Sequence, residues 1–535
     1  MNRKLRSLCL LISAVFIFMV LPVYAIDIEE AEANQLSLIM DFMGRSNAAN
    51  DDETQGIGWE RVNVSWSSLE VREGTIEAAA LSAVKDEVMK HINLGKKVLL
   101  MLENPPVWAI NRGEYTFSDD DINYTVKRYK GIIHGNMIRN LVSDDESGKR
   151  IDEIEISANN AAFMLSDNGI EAWKKFVSLI ADTFSSSPYN ITHYQIYNSS
   201  YGNIESFCGS GEQFINTIQK PAAEILHSKG LKHVSAGMHA WYSLDSYISD
   251  LDAANAWDLI DVFNLYYAPI SSVDYLYNAA VERGKKNPAI WQTEVGFKDA
   301  ETFVPNFYMR AFYWAVQRGL TSNRDQFKVF WSEQLSDGNL LLLSDYGVIT
   351  ALGRSLRTIA EALDGEKVVM FNGVQNNYDI PFEFFVNRSS QEAFLIDDRK
   401  VVVATHMLSQ NDAGIFNDAT GDTMHLDFFV SLLEMTIHGI TGNIKPKRVA
   451  FNGAAYDLRF IQDENSAWMQ VPVPDTLGAP PGSDREMFAE AQFMQRRDKT
   501  MNFFLVVESD NLIQNADTPN PPKPKNYYVE YSRPQ

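Results

Sequence analysis

The sequence predicts an α/β protein, a (β/α)8 barrel followed by a C-terminal β-sandwich. Two observations carry this. From about residue 35 to 365, short apolar runs alternate with longer helical patterns, as strand–helix units on a parallel sheet do. Beyond Leu363 the helical periodicity fades and β-rich runs take over.

The predicted barrel strands are Ser37–Met43, Glu60–Val64, Lys97–Leu102, His193–Tyr197, His233–Met238, Leu259–Tyr266, Ala289–Glu294 and Lys328–Trp331. Helical stretches between them include Ile76–Leu94, Glu171–Phe184, Glu212–Ser228, Pro305–Gly319 and Arg354–Leu363. Eight strand–helix units fit a closed barrel. A doubly wound open sheet competes with it, but no Gly-rich fingerprint follows the first strand. An insertion over about 111–170 separates the third and fourth strands, and it reads equally well as a cleft wall or as a decoration. The trailing β runs are Lys367–Phe371, Pro381–Val386, Glu392–Ile396, Lys400–Thr405, Met435–Ile440, Arg448–Phe451, Trp468–Val473, Asn502–Glu508 and Tyr527–Tyr531. The organisation expected is therefore a leader over 1–25, a barrel over 26–365, and a β-rich domain over 366–535 with a Pro-rich tail.

The leader reads as a secretory signal. Arg3, Lys4 and Arg6 precede the apolar run Leu8 to Leu21, and Val23-Tyr24-Ala25 offers small residues for cleavage. The expectation is an exported protein, periplasmic or secreted, with no membrane span once the signal is removed; an uncleaved anchor is the alternative. Cys9 would leave with the signal, so Cys208 would stand alone without an internal disulfide. The formal charge is −23, and losing the three leader cations would take it to −26, which disfavours nucleic acid and anionic membranes as partners. Aromatic residues make up 12%, and flat apolar rings suit the faces of sugars.

Several chemistries find no support. The histidines show no zinc-ligand spacing, so neither a metal nor a cofactor is expected. Asp119-Asp120-Asp121 after Ser118 reads as a helix start, and Gly209-Ser210-Gly211 as a turn with a helix cap. No nucleophile-elbow Gly-x-Ser-x-Gly occurs.

Glu294 ends an apolar strand and precedes Val295-Gly296, which would aim its carboxylate into a barrel mouth. Alone, a carboxylate bonded to loop backbone explains it as well. Other segments accompany it: Gly58 to Glu70, Gly95 to Leu100 followed by Pro106-Val107-Trp108-Ala109, and Trp173, Phe176 and Val177. Asp261, Asn264 and Tyr266, then Thr293-Glu294-Val295-Gly296 and Trp331, complete the set. Together they resemble the clan A glycoside hydrolases, particularly family 39 and related TIM-barrel glycosidases with a trailing β-domain, over roughly residues 36 to 365.

The resemblance implies a retaining glycosidase acting on a polysaccharide or oligosaccharide, with Glu294 as nucleophile. Such an enzyme needs a second carboxylic acid about 5–5.5 Å away to protonate the leaving oxygen. In the family this acid follows an Asn at the end of strand four. Here Asn198 is followed by Ser199, whose hydroxyl is too weak an acid for the task. Asn264 stands where the family has His. Glu103 and Glu205 are possible substitute acids, although each also reads as an ordinary loop carboxylate. A substrate with a good leaving group would need no acid. A carbohydrate-binding pseudoenzyme is the remaining alternative. Trp66, Trp108, Tyr197, Tyr266, Tyr267 and Trp331 are candidate sugar platforms, each with a core-packing reading beside it. Sequence says nothing of the oligomeric state.

Overall fold

A computed structural model describes residues 36–48, 56–111, 115–119, 122–126, 164–198, 210–239, 244–296, 300–333, 341–343, 347–376, 389–407, 432–472 and 503–516. The leader, Ser199, Glu205, Cys208, most of the 111–170 insertion, the Pro381–Val386 and Tyr527–Tyr531 runs and the Pro-rich tail lie outside these residues. All elements below belong to one compact unit, Leu38–Gln535.

Eight parallel strand positions close on themselves. In order they are Met43–Ser46, Trp59–Ser65, Lys97–Glu103, His193–Ile196, Lys232–Val234 continued by Met238–His239, Val262–Tyr266, Ala289–Val295 and Phe327–Ser332. Strand eight pairs with strand one, and strand seven bridges six and eight, so no edge remains. The barrel expected from the strand–helix alternation is present.

Alternation along each strand sorts residues between lumen and outer wall. Trp59, Leu99, Val234, Val262, Trp291 and Phe330 form a separate apolar cluster that fills the lumen near the N-terminal strand ends. Two residues further along, the same faces carry Arg61, Met101, Asn264, Thr293 and Ser332. Gly44 belongs here for a steric reason, because a Cβ at this position would lie 2.4 Å from the Phe330 ring. Odd-phase residues such as Leu100, Ile290 and Val329 instead join the core between strands and helices.

Sequence expectation and structure differ at identifiable places. Strand one runs Met43–Ser46, because Leu38–Phe42 coils into a helical turn that buries Leu38, Ile39 and Phe42; a short apolar run does not by itself declare its period. Helices Leu244–Ala253 and Ile270–Glu282 escaped the sequence reading. The acid cluster after Ser118 is no helix start. Tyr115–Asp119 and Ile122–Val126 form an antiparallel ribbon across a two-residue connection, and their alternating aromatic and β-branched residues favour that outcome. The Gly209-Ser210-Gly211 reading holds at its cap: Ser210 Oγ accepts from the Gln213 backbone N–H at 3.2 Å.

The C-terminal region is a two-layer β-structure. Its six-stranded antiparallel sheet runs Val368–Met370, Ser389–Ile396, Lys400–Met407, Phe503–Ser509, Ile444–Ala450 and Ala455–Asp457. A four-stranded sheet runs Val374–Asn376, Leu432–His438, Ser466–Pro472 and Phe460–Gln462. The larger sheet is buried on both faces. Phe394, Val402, Ala404, Phe504 and Val506 continue the barrel's outer core, where Phe394 meets Phe312 and Tyr313 of helix Ala300–Gln317 with ring centroids 5.4 and 5.8 Å apart. The alternate residues Leu395, Val401, Val403, Phe503, Leu505 and Val507 face Met435, Ile437, Met469 and Val471 of the smaller sheet. Double burial explains why these strands read as unbroken apolar runs. Among the described residues no helix is long and apolar enough to cross a membrane.

Candidate active site

The C-terminal strand ends converge on a polar mouth. Glu294 ends a strand that slips register between Trp291 and its last residues, and this irregularity turns both Thr293 and Glu294 inward. Its Oε1 accepts from Asn47 Nδ2 at 2.6 Å and from Ser332 Oγ at 3.4 Å, with Arg61 Nη2 at 3.7 Å. These contacts all fall on one oxygen, which leaves Oε2 for other chemistry. Glu294 is 9% exposed as a residue and its side chain 11%.

Arg61 rises through the lumen from strand two. Its Nη1 donates to Tyr266 OH at 2.8 Å and its Nη2 to Asn47 Oδ1 at 3.2 Å, while Nε finds no partner among the described residues. Burial acts to discharge the guanidinium, but Tyr266, Glu294 and Glu103 outweigh it and hold the cation. A cation buried this deeply is kept charged only by its paired and hydrogen-bonded neighbours.

Below the mouth runs a closed hydrogen-bond relay. Tyr266 OH donates to Asn198 Oδ1 at 2.7 Å and accepts from Gln195 Nε2 at 2.8 Å; Thr293 Oγ1 donates to Gln195 Oε1 at 2.9 Å and accepts from Asn264 Nδ2 at 2.8 Å. Burial pushes the Tyr266 phenol up to about 12, so it stays a neutral donor. Tyr266 can sit this deep because residue 237 is glycine; a Cβ there would lie 2.2 Å from its ring.

Left-handed backbone occurs at both ends of the barrel, but among the described residues the two tyrosines that adopt it lie at this end. Asn47, Asn104, Tyr197 and Tyr267 follow strands one, three, four and six with φ of 53°, 60°, 66° and 51°. For tyrosine this is a costly conformation, on the order of 1–3 kcal/mol, and such strain collects at ligand sites.

Glu103 ends strand three in lumen phase with Leu99 and is half-buried. Burial raises its carboxyl above the usual carboxylate range. Arg61 and a backbone N–H bond from Asn198 pull it down, Glu294 pushes it up, and the balance stays raised.

The candidate sugar platforms separate into groups. Trp66 stacks on Phe176 at 5.4 Å, and Tyr197 meets Trp173 edge-on at 5.7 Å; both pack between strands and helices, as does Trp331 beside lumen-facing Ser332. Trp66 and Trp331 are fully buried and Tyr197 is 1% exposed, so the structure corrects their expected sugar-facing role. Asn264 and Tyr266 are fully buried and belong to the relay beneath the mouth. Trp108 differs. It is half-buried at the rim, its Nε1 donates to Glu70 O at 3.2 Å, and exposed Val71 and Val107 lie on the same two loops. Ser199 and Glu205 are outside the described residues, whereas Asn198 precedes Ser199 at the mouth.

Sequence reasoning assigned no role to Arg61, Asn47, Ser332, Gln195 or Thr293. Arg61 did carry a signal, since a charge between Trp59 and Asn63 in an apolar strand demands a buried partner. Asn47 lacked one, because its role depends on closure of strand one against strand eight. No group of three or more metal-ligating side chains occurs among the described residues.

Sequence comparison finds no matching family model and no matching curated protein. Solved structures do match in fold. A glycoside hydrolase family 30 endoxylanase from Clostridium papyrosolvens C71 superposes with a TM-score of 0.50 at 12% identity, covering 88% of this chain and 96% of that one. A family 30 subfamily 8 xylanase from Clostridium acetobutylicum gives 0.51 at 11% identity, over 87% and 96%. A family 39 glycoside hydrolase from Bacteroides cellulosilyticus WH2 gives 0.50 at 10%, over 89% and 82%. The chain thus shares the barrel-plus-β architecture of these glycoside hydrolases.

Proposed function

We propose that this protein is a glycoside hydrolase acting on a polysaccharide or oligosaccharide by the retaining mechanism, with Glu294 as nucleophile. The observation that carries the reading is the setting of Glu294. One oxygen is fixed by Asn47, Ser332 and the Arg61 cation and the other has no such partner among the described residues, at the strand ends of a barrel whose fold neighbours are glycoside hydrolases. A carboxylate held in this way can attack an anomeric carbon and be displaced later by water. The neutral relay through Tyr266, Gln195, Thr293 and Asn264 keeps the lumen beneath it rigid. We further propose that the protein is exported, as its leader suggests, and meets its glycan outside the cytoplasm.

A second reading, sugar binding without turnover, is favoured by one observation: Ser199 follows Asn198 where a retaining enzyme needs an acid. Release of reducing ends from a broad panel of bacterial and plant polysaccharides separates the two. On the hydrolase reading the wild type releases sugar, and Glu294→Gln loses more than the roughly 10²–10⁴-fold that a proton-transfer group supplies. Saturable binding without product in the wild type, with turnover appearing in Ser199→Glu, supports the binding reading instead.

A further inference from the structure

We propose that Glu103 is the proton donor of this site, performing from strand three the task that Ser199 cannot perform from strand four. The inference rests on the glycosidase reading above. Strand three places Leu99 in the lumen cluster, so Glu103, four residues on, shares that face and ends at the mouth. Strands three and four are joined at this level: Leu102 pairs with Ile196, and Tyr197 N–H donates to Leu102 O at 2.8 Å. The next residue, Asn198, is near enough that its backbone N–H favours the ionised Glu103 carboxylate. Glu103 therefore ends strand three beside the end of strand four.

Its surroundings suit the role. Glu103 and Glu294 repel one another and share the field of Arg61, but the close contact of Arg61 is with Glu294. One carboxyl thus has an adjacent cation. The other is half-buried with its proton favoured by desolvation, and two carboxyls driven apart in this way are suited to opposite proton roles.

The chemistry balances. Protonated Glu103 gives its proton to the glycosidic oxygen as the bond from that oxygen to the anomeric carbon breaks, and Glu294 forms an ester to the same carbon. Water then attacks that carbon, the Glu103 carboxylate takes the water's proton, and Glu294 leaves as a carboxylate. Glu103 ends protonated, ready for the next cycle.

The test compares wild type, Glu103→Gln and Glu294→Gln on matched phenyl and 2,4-dinitrophenyl glycosides of glucose, xylose, galactose and mannose, with and without azide, alongside the polysaccharide panel. Circular dichroism verifies folding, and Gln keeps the size and shape of the Glu103 side chain. In Glu103→Gln the expected loss is about 10²–10⁴-fold on phenyl glycosides and polysaccharide. Formation of the glycosyl-enzyme from dinitrophenyl glycosides stays within about threefold, since that leaving group needs no proton. Azide restores turnover and yields a glycosyl azide of retained configuration, and the basic limb of the pH profile disappears. Equal losses on both leaving groups, or no loss on either, would overturn the assignment. If Glu294→Gln alone is inactive while Glu103→Gln matches wild type, the glycosidase reading stands and only the donor is wrong. A wild type silent on every substrate overturns both.

Discussion

The two ends of the barrel lumen both bury charge, and they do so in opposite ways. At the N-terminal end Lys328 Nζ donates to Asp41 O at 3.0 Å, Arg324 O at 2.9 Å and Asp41 Oδ1 at 3.3 Å. Asp41 in turn accepts from Trp59 Nε1 at 2.6 Å and from Lys97 Nζ at 3.0 Å. Burial pushes the Asp41 carboxyl up, but Lys328 and Lys97 together hold it below its usual range. Trp59 and Trp291 cover the Lys328 ammonium, with ring centroids 4.6 and 5.3 Å away. At the C-terminal end, Glu294 keeps one oxygen uncommitted, Arg61 keeps a buried N–H without a partner among the described residues, and two tyrosines, Tyr197 and Tyr267, hold left-handed backbone. One end satisfies its charges and supports the fold. The other leaves capacity for a ligand, at a cost in stability.

The sharpest way to break this comparison is to remove the lower cation. Lys328→Met keeps the side-chain length but leaves Asp41 underpaired and two carbonyls without their donor. The expected cost is about 3–5 kcal/mol in urea unfolding, with kcat/KM of the folded fraction unchanged within about twofold. A comparable loss of activity without loss of stability would make the lower end part of the site.

Next in size is a pH effect confined to the lower end. His193 lies buried with its ring stacked on Trp291 at 4.9 Å, and desolvation lowers its pKa to about 4 from 6.5. The unfolded chain therefore binds more protons than the folded one between those values, and stability falls as pH drops through that window, by roughly 3 kcal/mol. Unfolding titrations at pH 7 and pH 4 check this. His193→Phe preserves the stack and removes that share of the pH dependence.

The smallest effect belongs at the rim. Trp108→Ala removes a half-buried ring that meets Trp66 edge-on at 5.6 Å. It is expected to raise KM severalfold, leave kcat nearly unchanged, and lower stability by about 1 kcal/mol. Unchanged KM would confine Trp108 to packing.

The same contrast explains what was legible in the sequence. Strand periods, the barrel and the β-rich region were readable, because burial writes itself as apolar spacing. Glu294 stands out in the sequence because a carboxylate closing an apolar strand is locally conspicuous. Trp66, Tyr197 and Trp331 were misplaced, since a one-residue change of phase moves a ring from lumen to outer wall and aromatic character does not reveal which. Arg61, Asn47 and Ser332 acquire meaning only through barrel closure, which brings strands one, two, seven and eight to one carboxylate across 247 residues of chain.

The central claim is that Glu294 attacks the anomeric carbon. Intact-mass and peptide-mapping spectrometry after incubation with 2,4-dinitrophenyl 2-deoxy-2-fluoroglycosides tests it directly. The fluorine slows release of the glycosyl-enzyme more than its formation when the leaving group is activated. The account predicts one added fluoroglycosyl group, located on the peptide containing Glu294 and absent from Glu294→Gln. A label on another carboxylate, or sugar release from polysaccharide that persists in Glu294→Gln, would contradict it.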